Sequence, residues 1–340
     1  MSEQKVKRVM SGMRTTGQLH IGNYFGALKN WIHLQEDYDC YFGAMDWHSL
    51  TDAFKTSKEI QGYTREIIAD WIAWGIDPEK STVFVQSQVP QHIEIHMILS
   101  NITPMGWLDR VTTWKDAEEE LKQKDAHNLG RFAYPVLQTA DIMAYRGQAV
   151  PVGKDQIPHL ELSREIVRRF NHLYKTKLPE PQALMSETPY VVGLDGRKMS
   201  KSYGNLIPII AEEKKIKKLC NKMTTDPKRL TREDPGEPKD CVAVYPYHKI
   251  LSSADDLKWV EEGCRTAGIG CGDCKAKLAQ NLNNMMMEAR EKKKDLLNQG
   301  HLLDDIIAEG CAKARKEADE TLRTMRDAMG ITGYSYRGES

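Results

Sequence analysis

Two short segments, far apart in the chain, carry residue types suited to phosphate: Gly17-Gln18-Leu19-His20-Ile21-Gly22-Asn23 and Gly196-Arg197-Lys198-Met199-Ser200-Lys201-Ser202. In the first, a strand-like run gives way to helical spacing at Gly22. Residues 6–10 alternate basic and apolar, and over 23–37 the apolar residues Phe25, Leu28, Ile32 and Leu34 recur at helical intervals. Free N–H groups at a helix start attract anions, a glycine lets the backbone approach closely, and His20 and Asn23 add side-chain donors. In the second, Lys198 and Lys201 sit three apart, Ser200 and Ser202 flank Lys201, and Gly193, Gly196 and Gly204 mark a loop. Two ammonium groups on such a loop can neutralise a leaving pyrophosphate as its charge develops. Alone, the first reads as a glycine turn and the second as a solvated lysine loop. Together they point to adenylate chemistry.

Two further constellations stand out. In Tyr134-Pro135-Val136-Leu137-Gln138-Thr139-Ala140-Asp141 the proline suits a first helical turn, and Tyr134, Gln138 and Asp141 then share one face. A carboxylate among Leu137, Ile142 and Met143 needs a donor, supplied either by a backbone group or by a ligand. Of the seven cysteines, Cys241, Cys264, Cys271 and Cys274 form C-x22-C-x6-C-x2-C, with Gly268, Gly270 and Gly272 giving tight turns. In a cytosolic protein such a set binds metal more often than it forms disulfides. Zinc and iron–sulfur clusters both accept four thiolates, so spacing leaves the two open. Cys40, Cys220 and Cys311 read as buried or incidental thiols.

The first two segments resemble the HIGH and KMSKS signatures of the class I aminoacyl-tRNA synthetases, the second without a mismatch. The first reads His20-Ile21-Gly22-Asn23, with Asn23 where the class signature ends in His. Gly22-Asn23-Tyr24-Phe25-Gly26-Ala27-Leu28 and Val150-Pro151-Val152-Gly153-Lys154-Asp155-Gln156 resemble the tryptophanyl branch, and the likeness runs in order as far as Asp327-Ala328-Met329-Gly330. This resemblance implies L-tryptophan, ATP and tRNA(Trp) as substrates, tryptophanyl-adenylate as intermediate, Mg2+ accompanying ATP, and a homodimer. It further implies that His20 and Asn23 meet the triphosphate, that Gly22 lies against the adenosine, and that Lys198, Met199, Ser200, Lys201 and Ser202 handle the pyrophosphate. Arg14, Thr15 and Thr16 would line the loop before Gly17, Arg14 standing where the family often has a neutral Gln. Gly153, Lys154 and Asp155 would contact the nucleotide, Val191 the adenine, and Lys115 the phosphates. Around tryptophan the matching positions are Met10, His48, Tyr134, Gln138, Val150, Val152 and Gln156, with Asp141 accepting the indole N–H. A subset of bacterial members carries a [4Fe-4S] cluster on this cysteine spacing, so the resemblance favours the cluster over zinc, in a structural or RNA-contact role.

These residues need elements to position them. Strand-like and helix-like segments alternate over the first two hundred residues: 38–45 and 82–86 read as short buried strands, and 57–75 as an amphipathic helix ended by Gly75-Ile76-Asp77-Pro78. The pattern predicts an α/β fold with a doubly wound, Rossmann-like parallel sheet whose ligand lies beyond the carboxyl ends of the strands. His20, His48, Gln86 and Val152 fall near such ends. After Asn205 the pattern turns helical, broken at 226–240, so we expect a catalytic domain over 1–205 and a mostly helical one over 206–340. The resemblance makes the second an anticodon-binding domain, and its last helix, 303–329, is expected to pack back on the catalytic body.

At 340 residues the chain has room for two domains. Its 48 basic and 48 acidic residues cancel, so RNA contact must rest on local patches. Lys214-Lys215-Ile216-Lys217-Lys218 and Lys292-Lys293-Lys294 are candidates, or else plain solvated faces. No apolar run approaches the roughly 20 residues that cross a bilayer, and no signal-peptide core opens the chain, which predicts a cytoplasmic protein. Three functions stay open: the tryptophanyl enzyme, the tyrosyl enzyme, whose amino-acid helix Tyr134-x-x-x-Gln138-x-x-Asp141 also resembles, and an inactive paralogue using the cysteines for RNA binding or redox sensing. The 150–156 motif and the cysteine set speak against the second. Intact His20, Asn23, Asp141, Lys198 and Lys201 speak against the third.

Overall fold

Five short apolar runs form strands β1 (Arg8–Arg14), β2 (Asp39–Met45), β3 (Ser81–Val85), β4 (Ala149–Val152) and β5 (Gln182–Met185) in the computed structural model, which describes residues 7–111, 128–153, 156–185, 191–199 and 203–331. They make one parallel sheet in the order β3-β2-β1-β4-β5, with Met10 opposite Tyr41, Tyr41 opposite Thr82, and Val9 opposite Ala149. The winding reverses between β1 and β4. That reversal opens a crevice at the carboxyl ends of the two strands, where ligands of doubly wound sheets bind. Strand β1 continues beyond the expected 6–10, through Ser11-Gly12 to Arg14. Gly12 pairs with Gly43, and a Cβ on either would strike the Met45 side chain, so the two glycines make room for it.

Helices cover both faces, as parallel sheets require. In chain order they are α1 (21–34, with a π-helical turn at Tyr24–Leu28), α2 (Asp46–Ala53), α3 (Ile60–Trp74), α4 (Gln91–Ile102), α5 (Tyr134–Ala144) and α6 (Ile157–Tyr174). Helix α3 begins after a 3-10 turn at Phe54–Glu59 and ends on Gly75, whose φ of 119° favours glycine. The main core stacks Trp31 on Phe42 at 4.5 Å and sets Trp71 edge-on to Trp31.

Beyond β5 the described regular structure is helical: α7 (Glu213–Lys222), α8 (Val244–Leu251), α9 (Ala254–Arg265), α10 (Cys271–Asn298) and α11 (Leu302–Met329). A second core joins Ile216, Tyr247, Leu278 and Leu282 to Val191 and Met199 and to Ile21 and Phe25 of α1. Both signature segments therefore sit at the seam between the sheet and the helices. Helix α10 packs along α3, where Lys293 reaches Asp70 at 2.7 Å and Glu66 at 3.4 Å. Helix α11 covers the edge strand β3 and contacts α4 and α5. Cys311 Sγ accepts the Val85 N–H at 3.3 Å, and a Cβ on Gly310 would lie 1.8 Å from the Val83 carbonyl oxygen. Among the described residues no helix is long and apolar enough to cross a membrane.

Candidate active site

The first signature segment follows directly from β1. The chain turns at Gly17, whose φ is 144°, and is then held on both sides of His20: Ile209 N–H donates to the Leu19 carbonyl at 3.0 Å, and Ile21 N–H to the Ile207 carbonyl at 2.9 Å. Asn23 Oδ1 accepts the His20 N–H at 2.9 Å while the His20 carbonyl accepts the Asn23 N–H at 2.8 Å, which fixes the helix start. The His20 ring lies across Gly22, where a Cβ would come within 2.8 Å of Nδ1. Met199 Sδ stands 3.6 Å from that same point, so the second segment abuts the first.

The second segment is an irregular hairpin in which Val192 bridges Lys198 and Gly196 turns the chain at φ 81°. Asp195 staples it. Its carboxylate accepts Asn205 Nδ2 at 2.7 Å and Arg197 Nε at 2.8 Å, and these hydrogen bonds, that of Asn205 foremost, draw it down to about 2. Asn205 Nδ2 also donates to the Lys198 carbonyl at 3.1 Å.

Between β1, β4 and α5 lies a cavity of about 480 Å³. Met10 and Arg14 of β1, Thr16, His20 and Asn23 line one side. His48, Tyr134, Gln138 and Asp141 line the floor, and Val150, Val152 and Gln156 the wall opposite β1. Twelve residues separated by up to 146 positions in sequence thus share one surface. Thr15, Gly22, Gly153, Val191, Lys198 and Met199 are not part of that lining. Thr15 is fully buried behind the loop, its N–H and hydroxyl both on Ser49 Oγ, at 2.7 and 3.1 Å. Arg14 pairs with Asp52, which also takes Arg131 at 2.7 Å. Lys115, Lys154, Asp155, Ser200, Lys201 and Ser202 lie outside the described residues.

Asp141 is the one acidic residue among the described residues of the lining and is 3 % exposed. Its Oδ2 meets His48 Nε2 at 2.7 Å, and its Oδ1 meets both Gln86 Nε2 at 2.7 Å and His92 Nδ1 at 2.6 Å. Burial alone would push this carboxyl up, but the charge and hydrogen bond of His48 and the hydrogen bond of His92 outweigh it and hold it at about 2. Asp141 is therefore ionised at neutral pH. His48 Nδ1 and Gln138 Oε1 are buried with no hydrogen-bond partner among the described residues. Unpaired polar atoms on a cavity floor are what a bound polar ligand satisfies. Sequence reasoning placed Gln86 only at a strand end and missed His92 and Tyr145, whose hydroxyl meets His92 Nε2 at 2.6 Å. No local motif marks them, because they reach Asp141 from separate elements.

The four clustered cysteines come together around a second, small cavity. Cys241 follows a 3-10 turn at Pro238–Asp240, Cys264 lies in the last turn of α9, and Cys271 and Cys274 lie in the first turn of α10. None is in a disulfide. Burial, with the three other cysteines adding to it, pushes the Cys274 thiol up to about 12. Two donors point at sulfur: His248 Nε2 is 3.4 Å from Cys274 Sγ, and Arg229 Nη1 is 3.9 Å from Cys264 Sγ while Nη2 donates to the carbonyls of Arg232 and Ile269. Such donors suit thiolate rather than thiol. All four cysteines line that cavity, and among the described residues no three His, Cys, Asp or Glu are grouped to hold a metal ion.

Comparison with known proteins sets this geometry in context. Residues 2–287 match the family described as tRNA synthetases class I (W and Y). The chain is 46% identical over 326 residues to the tryptophan–tRNA ligase of Thermotoga maritima, covering 95% of this chain and 99% of that one. It is 39% identical to the tryptophan–tRNA ligase of Ralstonia nicotianae, covering 96% and 99%. The structure superimposes with a TM-score of 0.87 on a crystal structure of tryptophanyl-tRNA synthetase from Campylobacter jejuni complexed with ADP and tryptophan, at 35% identity, covering 95% and 99% of the two chains.

Proposed function

The chain belongs to the class I tRNA synthetases of the tryptophan and tyrosine group, and from that premise we infer that it is a tryptophan–tRNA ligase. The carboxylate oxygen of L-tryptophan attacks the α-phosphorus of ATP, the bond to the bridging oxygen breaks, and pyrophosphate leaves. The 3′-terminal adenosine hydroxyl of tRNA(Trp) then attacks the adenylate carbonyl, forming the ester and releasing AMP. Chemistry of this kind asks for positioning and charge stabilisation, not a protein nucleophile. His20 and Asn23 at the helix start receive the triphosphate, and Lys198 with Lys201, Ser200 and Ser202 receives the departing pyrophosphate. Lys115, Lys154 and Asp155 complete the nucleotide contacts. Magnesium arrives on the phosphates of ATP; among the described residues of the lining Asp141 is the one carboxylate, and that group is engaged by histidines.

The observation that carries the choice of amino acid is the ionised Asp141 on the floor of the cleft, beside Met10, Val150 and Val152. An indole N–H satisfies it. A phenylalanine ring would leave it unpaired, and sites built this way reject the analogue by about 10⁴-fold or more. Tyrosine, which also carries a donor, is turned away by ring shape between Met10, Val150 and Val152. Exchange of labelled pyrophosphate into ATP tests this directly: tryptophan should drive it, with tyrosine and phenylalanine silent. Equal exchange with tyrosine would reassign the substrate.

At the cysteine cavity the proposed group is a [4Fe-4S] cluster held by Cys241, Cys264, Cys271 and Cys274, the four thiols that line it. Zinc is the alternative. The group would cross-link α9 and α10 within the region 206–340, which we take as the anticodon-binding domain. Protein purified without oxygen should be brown with a broad sulfide-to-iron absorption band; a colourless protein containing stoichiometric zinc would decide for the alternative. A cytoplasmic homodimer completes the reading.

A further inference from the structure

Asp141 is more fully engaged than a simple acceptor for an indole N–H needs to be. A carboxylate offers about four acceptor positions, two on each oxygen. Oδ1 already takes two donors, Gln86 Nε2 and His92 Nδ1, and Oδ2 takes one, His48 Nε2. One position remains, and it is on Oδ2. The donors differ in where they stand: His48 lines the cavity, whereas Gln86 and His92 are fully buried and absent from its lining. Oδ1 is therefore gripped from inside the protein, and Oδ2 is left on the cavity side.

His92 is itself gripped. Its ring stacks on Phe84 with centroids 5.7 Å apart, and its Nε2 meets the hydroxyl of Tyr145, which is also fully buried and stacked on Tyr41 at 4.6 Å. An ionised Asp141 can only accept, so His92 Nδ1 carries the proton. The Tyr145 hydroxyl has no other hydrogen-bond partner among the described residues, so its contact with Nε2 holds the ring with Nδ1 turned to Asp141.

Resting on the reading of the cavity as a tryptophan site, we propose that His92, backed by Tyr145, is a positioning residue for substrate selection: it fixes Asp141 so that its one open acceptor position faces the indole N–H. His92 touches no substrate. Its effect is felt as recognition of that N–H.

The test compares L-tryptophan with its benzothiophene analogue, in which sulfur replaces the ring N–H, by pyrophosphate exchange and by equilibrium binding, in the full-length protein. Wild type comes first. Absent tryptophan-dependent exchange there sinks the functional reading itself, before any variant is considered. Given that exchange, His92→Leu should raise KM for tryptophan about ten- to a hundredfold, the range for leaving a buried acceptor unpaired, with little change in kcat. The preference for tryptophan over the analogue should fall by the same factor. His92→Asn, which keeps a donor near the Nδ1 position, should restore most of that preference, and Tyr145→Phe should lower it less than His92→Leu does. A merely structural role would weaken both ligands equally. Equal losses for both ligands in His92→Leu, or an unchanged preference in Tyr145→Phe, overturns the proposal; should His92→Leu not fold, Tyr145→Phe still decides it through the same ratio.

Discussion

Asp70 and Asp141 are both buried carboxylates hydrogen-bonded to basic side chains, yet their protons behave in opposite ways. At Asp70 burial dominates, Lys293 only partly offsets it, and the carboxyl rises from 3.8 to about 6. At Asp141 the histidines win, and the carboxyl falls to about 2. A raised folded-state value contributes stability that is present below the unfolded value and lost as pH climbs through the folded one; a depressed value does the reverse. Asp70 should therefore cost about 3 kcal/mol of stability as pH rises from 4 to 6. Asp141 should lose its contribution only as pH falls from about 4 towards 2. Asp70→Asn should flatten the slope between pH 4 and 6, read from urea midpoints at several pH values, and a slope that survives the substitution would show that another group titrates there. Asp141 was legible in the sequence because Tyr134, Gln138 and Asp141 repeat on one helical face. The residues that set its behaviour were not, since His92 and His48 stand 49 and 93 positions away and only the fold joins them.

Glycines show the same limit for elements. Gly62 in α3 and Gly310 in α11 look alike in sequence, each an isolated glycine in a helical pattern. In the fold a Cβ on Gly62 meets nothing within 4 Å, whereas one on Gly310 strikes the Val83 carbonyl, which cannot swing aside as a side chain would. Gly62→Ala should stabilise by about 0.5 kcal/mol through helix propensity, and Gly310→Ala should destabilise by about 2 kcal/mol or more because α11 must lift from β3. Opposite shifts in the guanidinium midpoint would verify the pair, and matching shifts would mean that α11 does not press on the strand. The alternation of strands and helices was readable because a parallel sheet buries whole strands while its helices keep apolar faces. The length of β1 was not, for Gly12 looks like a turn until Gly43 and Met45 are set beside it.

Across the whole molecule the balanced charge conceals an uneven surface. Of the two lysine runs singled out in sequence, one is largely engaged within the fold: Lys292 pairs with Glu288 and Lys293 with Asp70. On α7, by contrast, Lys214, Lys215, Lys217, Lys218 and Lys222 are all exposed, and none has an ion pair among the described residues. Ile216 and Cys220 turn the opposite face of α7 into the second core. If tRNA lies along this face, the Lys217→Glu, Lys218→Glu double variant should raise KM for tRNA in aminoacylation and reduce the salt slope by about 0.7–0.9 per lost phosphate contact. Pyrophosphate exchange, which needs no tRNA, should stay as it was; a fall in exchange would point to a folding defect instead. The packing of α11 on β3 has one more consequence, which concerns the order in which the chain is made. Val85 and Cys311 are 226 residues apart, so at ribosomal speeds of about 5–20 residues per second the outer strand waits on the order of 10–45 s for its cover. Throughout that interval a nascent sheet carries a bare edge able to pair with a neighbouring chain. The newborn protein is thus a natural client for chaperones, and polysomes crowded with its message are where its aggregation would begin.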